Sequence, residues 1–262
     1  MPSHYAHYRF GQAVRARLTG EARAAVETFP ELYLIGLYGP DVLFYYRGYG
    51  KNPVNRRGYA LHERPGAEFF GRAAQVLARH PGDAAYLACA CGLLCHFVLD
   101  SRCHPCVSAA MERDGVGHIA LETELDRALL LADGLDPVRT PLTGHVEPTV
   151  ANAHVLRAFF PGVTTLQMQA SLRWMKLADG IFLAPGRGKR VLLRAAARAV
   201  GQADLTQMVI GYAPDPACAR ALAELQALYG DAVEPARRLC ESLGPVLPCD
   251  PAFGVDFSGQ TH

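Results

Sequence analysis

The chain lacks the marks of several protein classes. Its 26 Lys and Arg residues face 25 Asp and Glu, leaving a net charge of +1 and a pI near 7.6. That balance gives no bulk attraction to nucleic acid or to an anionic membrane. The start, MPSHYAHYRFG, lacks the basic-then-apolar order of a signal peptide. No apolar run reaches the roughly 20 residues of a spanning helix; the longest, near 84–99, is shorter and holds His96. These absences predict a soluble, cytoplasmic protein with no transmembrane segment. Internal repeats and convincing alternating strand patterns are also missing, which argues against solenoids and sheet-built folds. Cys103-His104-Pro105-Cys106 is a C-x-x-C without the strand that a redox motif needs and without the second C-x-x-C of a zinc ribbon.

What is present is a large apolar, helix-forming fraction. The chain has 262 residues, half of them hydrophobic, enough for a substantial core. The pattern predicts a single all-α, mostly helical domain over 1–262: a core within 1–135 and a further helical part over 150–262. Helical spacing fits residues 5–18 and 19–29, with Pro30 ending the second helix. Gly39-Pro40-Asp41 marks a turn, 47–60 reads as a Gly- and Arg-rich loop, and a helix follows over 66–79. Asp83 is placed to cap a helix that is apolar on nearly every face, as expected of a helix at the middle of a bundle. Its Cys89, Cys91 and Cys95 read as small core residues. Another helix spans 116–133, and 134–150 is a connection. Helical patterns resume over 150–160, 164–179, 187–201, 203–212, 215–229 and 231–243, before a Pro- and Gly-rich tail that packs irregularly or frays. The basic run Arg187-Gly188-Lys189-Arg190 with Arg194 and Arg198 reads as a solvated helix face, and no amphipathic membrane anchor stands out.

The chemistry concentrates in 96–122. His96/Asp100 and His118/Glu122 are each four apart, so each pair projects from one helix face. His104 precedes Pro105, which predicts a position just past the end of the first helix, where the chain turns. An imidazole and a carboxylate in such apolar surroundings are costly unless they pair or bind metal. Asp41, among apolar and aromatic neighbours, is either a helix cap or a carboxylate ligand. Asp126, one turn beyond Glu122, either orients a ligand or pairs with Arg127 or Arg139 at the surface.

The order His7, Gly39-Pro40-Asp41, His62, His96-x3-Asp100, His104, His118-x3-Glu122 resembles the zinc-dependent phospholipase C family of bacteria, whose fold and ligand order the single-strand-specific zinc nucleases share. The resemblance covers about residues 1–135. It implies two or three zinc ions. Asp41, His62, His96 and Asp100 would hold one, and His104, His118 and Glu122 a second, with a hydroxide between them. Asp100 would bridge to a third, bound also by His7. In that family a processed N-terminal amine completes the third site. This chain begins at Met1, so Pro2 after trimming, or His4, is the expected substitute. Val42 stands where the secreted phospholipases place a Tyr, so choline selectivity does not carry over.

Imidazole and carboxylate suit an open hydrolytic zinc site, and also accept manganese or iron. Paired metals can activate water and clamp a phosphoryl group. The expectation is therefore a metal-dependent phosphoester hydrolase in which Asp41 takes the proton of the attacking water. Its substrate would be a small phosphoester or a phospholipid headgroup. Phe44, Tyr45, Tyr46 and Tyr49 are candidates to line its cleft. The alternatives are a single-strand nuclease or nucleotidase of the same fold, with 187–198 as its basic groove, and a non-catalytic metal-holding domain that binds a phosphate-bearing ligand.

Overall fold

The computed structural model describes residues 4–243 and 250–261. Among these, regular structure is helical, and the one β feature is an isolated bridge between Val255 and Thr261. Eleven α-helices follow in order: α1 His4–Arg15, α2 Gly20–Thr28, α3 Pro30–Gly36, α4 Pro53–His62, α5 Gly66–Arg79, α6 Ala84–Asp114, α7 His118–Ala132, α8 Val150–Arg157, α9 Thr165–Phe182, α10 Arg187–Ala199 and α11 Ala219–Glu241. Short 3-10 helices occupy Gly39–Tyr45, Ala203–Met208, Pro216–Cys218 and Pro251–Phe253.

Helix α6 is the axis of the fold. Its 31 residues make a rod about 46 Å long, and every side chain from Ala88 to Asp100 is buried. Helices α1, α2, α3 and α11 pack around it. By length and composition α6 could cross a membrane, but 78% of its apolar window is buried inside the protein. Asp83 accepts from the Ala85 N–H at its start, as the sequence predicts. Cys89, Cys91 and Cys95 are buried thiols.

Three expectations are corrected. Helix α6 does not stop before Pro105 but runs through it to Asp114, ending at Gly115 in the left-handed conformation. Proline withholds a donor from the carbonyl four residues back, here Ser101. Gly259 of the tail covers that carbonyl and packs on the Pro105 ring, so the defect lies against protein. Residues 47–60 are not all loop: Asn52 and Asn55 form a reciprocal capping box that starts α4 at Pro53. Pro30 ends α2 as expected, and it also opens α3 as its first residue, where a missing N–H costs nothing. The two helices expected over 215–243 are one, α11, with Pro235 inside it.

The tail does pack. Asp256 accepts from the N–H groups of Ser258 and Gln260. The Gly66 N–H donates to Val255 O, and Phe253 and Phe257 are fully buried. Phe257 thereby reaches the middle of α6.

Candidate metal centre

Continuation through Pro105 places His96, Asp100 and His104 at successive turns of one stripe of α6. The end of α4 brings His62, the 3-10 helix Gly39–Tyr45 brings Asp41, α1 brings His7, and the first turn of α7 brings His118 and Glu122. All eight residues predicted from the sequence meet there.

They form two groups. The nearest ligand atoms of Asp41, His62, His96 and Asp100 lie within 4.8 Å of one another, as do those of His104, His118 and Glu122. In the first group His62 Nε2 is 2.7 Å from Asp41 Oδ1, and His96 Nε2 is 3.1 Å from Asp100 Oδ2. In the second, His118 Nε2 is 3.0 Å from Glu122 Oε1 and His104 Nε2 is 3.8 Å from the same oxygen. Asp100 lies between the groups: its Oδ1 is 3.1 Å from His7 Nε2 and 4.0 Å from His104 Nε2. His7 stacks on His96 with ring centres 4.5 Å apart.

The far side of three rings decides what these nitrogens can do. Nδ1 of His62 lies 2.7 Å from Gly58 O, Nδ1 of His96 3.1 Å from Leu37 O, and Nδ1 of His104 2.9 Å from Phe257 O. A carbonyl only accepts, so each Nδ1 carries the proton and donates. In neutral imidazole Nε2 is then a lone pair, and here it faces carboxylate lone pairs. That arrangement is repulsive unless a proton or metal cation lies between. The buried His96 Nε2 makes no hydrogen bond at all, as a ligand atom would.

The electrostatics agree. Burial alone would lower His7, His62 and His104, yet Asp100 or Asp41 raises them, His104 to about 9. Burial alone would raise Asp41 and Asp100, yet His62 and His96 hold the first below the usual carboxylate range. His96, His104 and His7 hold the second well below it. Glu122, likewise raised by burial, is lowered by bonds from His104 and His118. Anionic oxygens are thus kept ionised in a dry site, the condition for holding a dication. A cavity of about 30 Å³ among His7, Asp100, Cys103, His104 and Glu122 has room for one ion or water. The centre opens at His118, whose side chain is 35% exposed while Asp41, His96 and Asp100 are buried.

The family model of the zinc-dependent phospholipases C matches residues 6–156, more than half of the chain. The chain belongs to that family. No curated protein and no solved structure matches it. Membership makes zinc the metal these donors suit and hydrolysis the class of reaction.

Other predicted residues take different places. Asp126 accepts from the backbone N–H groups of Tyr5 and Ala6. It therefore fixes α1, and with it His7, rather than pairing with Arg127, which binds Glu124 instead. His4 Nε2 is 2.9 Å from the Tyr45 hydroxyl; Pro2 lies outside the described residues. Of the aromatics, Tyr45 is buried, Phe44 stacks between His62 and Tyr59, and Tyr49 meets Trp174 away from the cluster. Val42 is fully buried. The Cys103 thiol is pushed up to about 12 by burial and by Asp100, which removes the redox reading.

Phe257 is the participant that the sequence did not disclose. Its carbonyl orients His104 and its ring lies 5.3 Å from that of His62. A backbone carbonyl has no sequence signature. At Gly259, where φ is +74°, any Cβ would collide with Ser101 O and come 2.6 Å from Pro105 Cγ. Gly259→Val is therefore expected to lift the tail, release His104, and weaken zinc at the second group about 10- to 100-fold. Titration against a competing chelator checks this; a zinc isotherm equal to wild type would refute the tail's role.

His145, from the 134–150 connection, packs beside the centre. It stacks on Tyr8 at 4.3 Å and its Nε2 is 2.9 Å from the Tyr38 hydroxyl. Burial, with His4 and Lys176, pushes its pKa down to about 4. An unfolded histidine titrates near 6.5, so between the two values the unfolded chain binds the extra proton. His145 thus removes stability as pH falls from about 6.5 to 4, by roughly 2 kcal/mol at pH ~4.5. His145→Phe should lose less stability than wild type between neutral and acid pH in urea unfolding. Parallel pH profiles would contradict the assignment.

Proposed function

We propose that this chain hydrolyses phosphodiesters in the manner of a phospholipase C, with two or three zinc ions. Asp41, His62, His96 and Asp100 hold one; His104, His118 and Glu122 hold another; Asp100 and His7 supply donors toward a third. The reading is carried by three histidines whose Nδ1 protons are committed to carbonyls while Nε2 faces carboxylates. Zinc supplies Lewis acidity there, making water nucleophilic near neutral pH and offsetting charge that develops on phosphoryl oxygens.

The rest belongs to the protein's own groups. Asp41, kept ionised by His62 and His96, orients the attacking water and takes its proton. His62, its Nδ1 held by Gly58 O, lies 2.7 Å from the same carboxylate and fixes its position. Phe257, Phe44 and the wall of α6 exclude bulk water, which strengthens every charge interaction in the site. Substrate enters on the side of His118, the most exposed of the metal-binding side chains.

The nuclease alternative required Arg187, Lys189, Arg190 and Arg194 to form a positive groove. Two of them are engaged by backbone carbonyls: Arg190, which is buried, donates to Ala184 O and Ile210 O, and Lys189, at the surface, to Gly180 O and Leu183 O. A headgroup phosphodiester therefore fits better than a nucleic-acid strand.

Metal content is the first test. Elemental analysis is expected to find about two to three zinc ions per wild-type chain and about one fewer in His118→Ala, with loss of hydrolysis of a soluble chromogenic phosphodiester. A folded wild-type protein that takes up no zinc on reconstitution would end this reading.

A further inference from the structure

Helix α10 turns an apolar face outward. Its buried residues are Arg190 and Ala197. At 100° per residue the opposite face carries Gly188, Leu192, Ala195 and Ala199, with Val191 and Ala196 beside them. Val191 is 65% exposed and Leu192 69%, so an apolar strip stands in solvent beside the basic residues, which are solvated as expected except for the buried Arg190. Arg187, Arg194 and Arg198 line one edge of this face, and the helix contains no acidic residue. Among the described residues, none of the three forms an ion pair.

From this arrangement we infer that α10 is a docking helix for an anionic lipid surface. An exposed apolar strip edged by a row of unpaired arginines is the composition of a helix that lies in the plane of a bilayer interface. The strip enters the acyl boundary while the arginines meet lipid phosphates and carboxylates. A second copy of the chain fits less well, since its own α10 offers the arginine row no counter-charge. A nucleic-acid strand has no use for Val191 and Leu192 at the centre of the face.

The location adds to the case. The 3-10 helix Ala203–Met208 follows α10 directly, and Arg194 lines a crevice with its Thr206. Gln207 of the same segment lies against Gly117, beside His118, and its carbonyl accepts from the Thr123 hydroxyl on α7. A surface engaged by α10 would thus be anchored one short element from the side on which the centre opens. The docking does not depend on the hydrolase reading, because binding and hydrolysis are measured separately.

The zinc-loaded full chain should be sedimented with phosphatidylcholine vesicles with and without phosphatidylserine, at low and high salt. Wild type is expected to pellet with the serine-containing vesicles at least about tenfold better, and less so as salt rises. Val191→Ser/Leu192→Ser should weaken binding by about tenfold or more, and Arg187→Gln/Arg194→Gln/Arg198→Gln by about a hundredfold. All three proteins should keep wild-type circular dichroism and equal hydrolysis of a soluble phosphodiester. Wild type that stays in the supernatant, or variants that bind as wild type does, would overturn the inference. So would tighter binding to a single-stranded oligonucleotide that only the glutamine variant loses, or a wild-type dimer that the serine variant disperses.

Discussion

Asp100→Asn is expected to abolish most hydrolysis and to strip metal from the first group and from the third site that Asp100 shares with His7. Asp100 is the one carboxylate within reach of three imidazoles, with oxygens 3.1 Å from both His96 and His7 Nε2 and 4.0 Å from His104 Nε2. An amide has nearly the same shape but no charge, and it turns an NH2 group toward at least one of those nitrogens. Leaving buried cationic partners without their counter-charge costs about 3–5 kcal/mol, equivalent to roughly two to four powers of ten in rate. The measurements are kcat/KM on a soluble phosphodiester and zinc per chain by elemental analysis. The two should fall together; a variant that keeps wild-type zinc and loses no activity would show that Asp100 merely neutralises histidines.

Gly39→Ala is expected to be nearly as damaging, although no donor atom changes. Gly39 has φ +50°, and a Cβ there would run into the His96 ring, 2.6 Å from its Cγ. His96 has nowhere to retreat, being fully buried. The left-handed backbone adds about 1–2 kcal/mol of strain for any other residue. Displacement of one ligand by about 1 Å can cost around a hundredfold in rate. Zinc should be lost from the first group while His104, His118 and Glu122 retain theirs, so Gly39→Ala should bind about one ion fewer and unfold at lower temperature. A variant with full zinc content would mean that the ring can move aside.

The side chains of the centre were legible in the sequence because imidazole and carboxylate at four-residue spacing is a statement about one helix face. Where the chemistry lay in the backbone, it was not legible. His104 was expected in a turn because proline disfavours helix in the residue before it; that local rule yielded to a distant contact, Gly259 on Ser101 O and Pro105. Residues 47–60 looked like loop from Gly and Arg content, while the Asn52–Asn55 capping box that starts α4 and aims His62 passed unnoticed. The basic run at 187–198 is solvated as read, apart from Arg190, but the apolar strip beside it was not legible; only the burial of Arg190 and Ala197 shows which way Val191 and Leu192 point.

The contact of His104 with Phe257 O spans 153 residues, and it sets the order in which the protein can mature. A chain leaving the ribosome exposes the whole family-matched region, 6–156, while residue 257 has yet to be made. During that interval His104 has no carbonyl to fix its tautomer, and Ser101 O and the Pro105 ring stand uncovered. Long-range closures of this kind come late, because their loop entropy must be met before the contact rewards it. Premature zinc would find His62 and His96 already aimed by Gly58 and Leu37, but His104 free to turn. Nascent chains stalled short of residue 250 should therefore hold the first ion far more firmly than the second, so that arrival of the Phe257 segment acts as the check on whether the centre is complete.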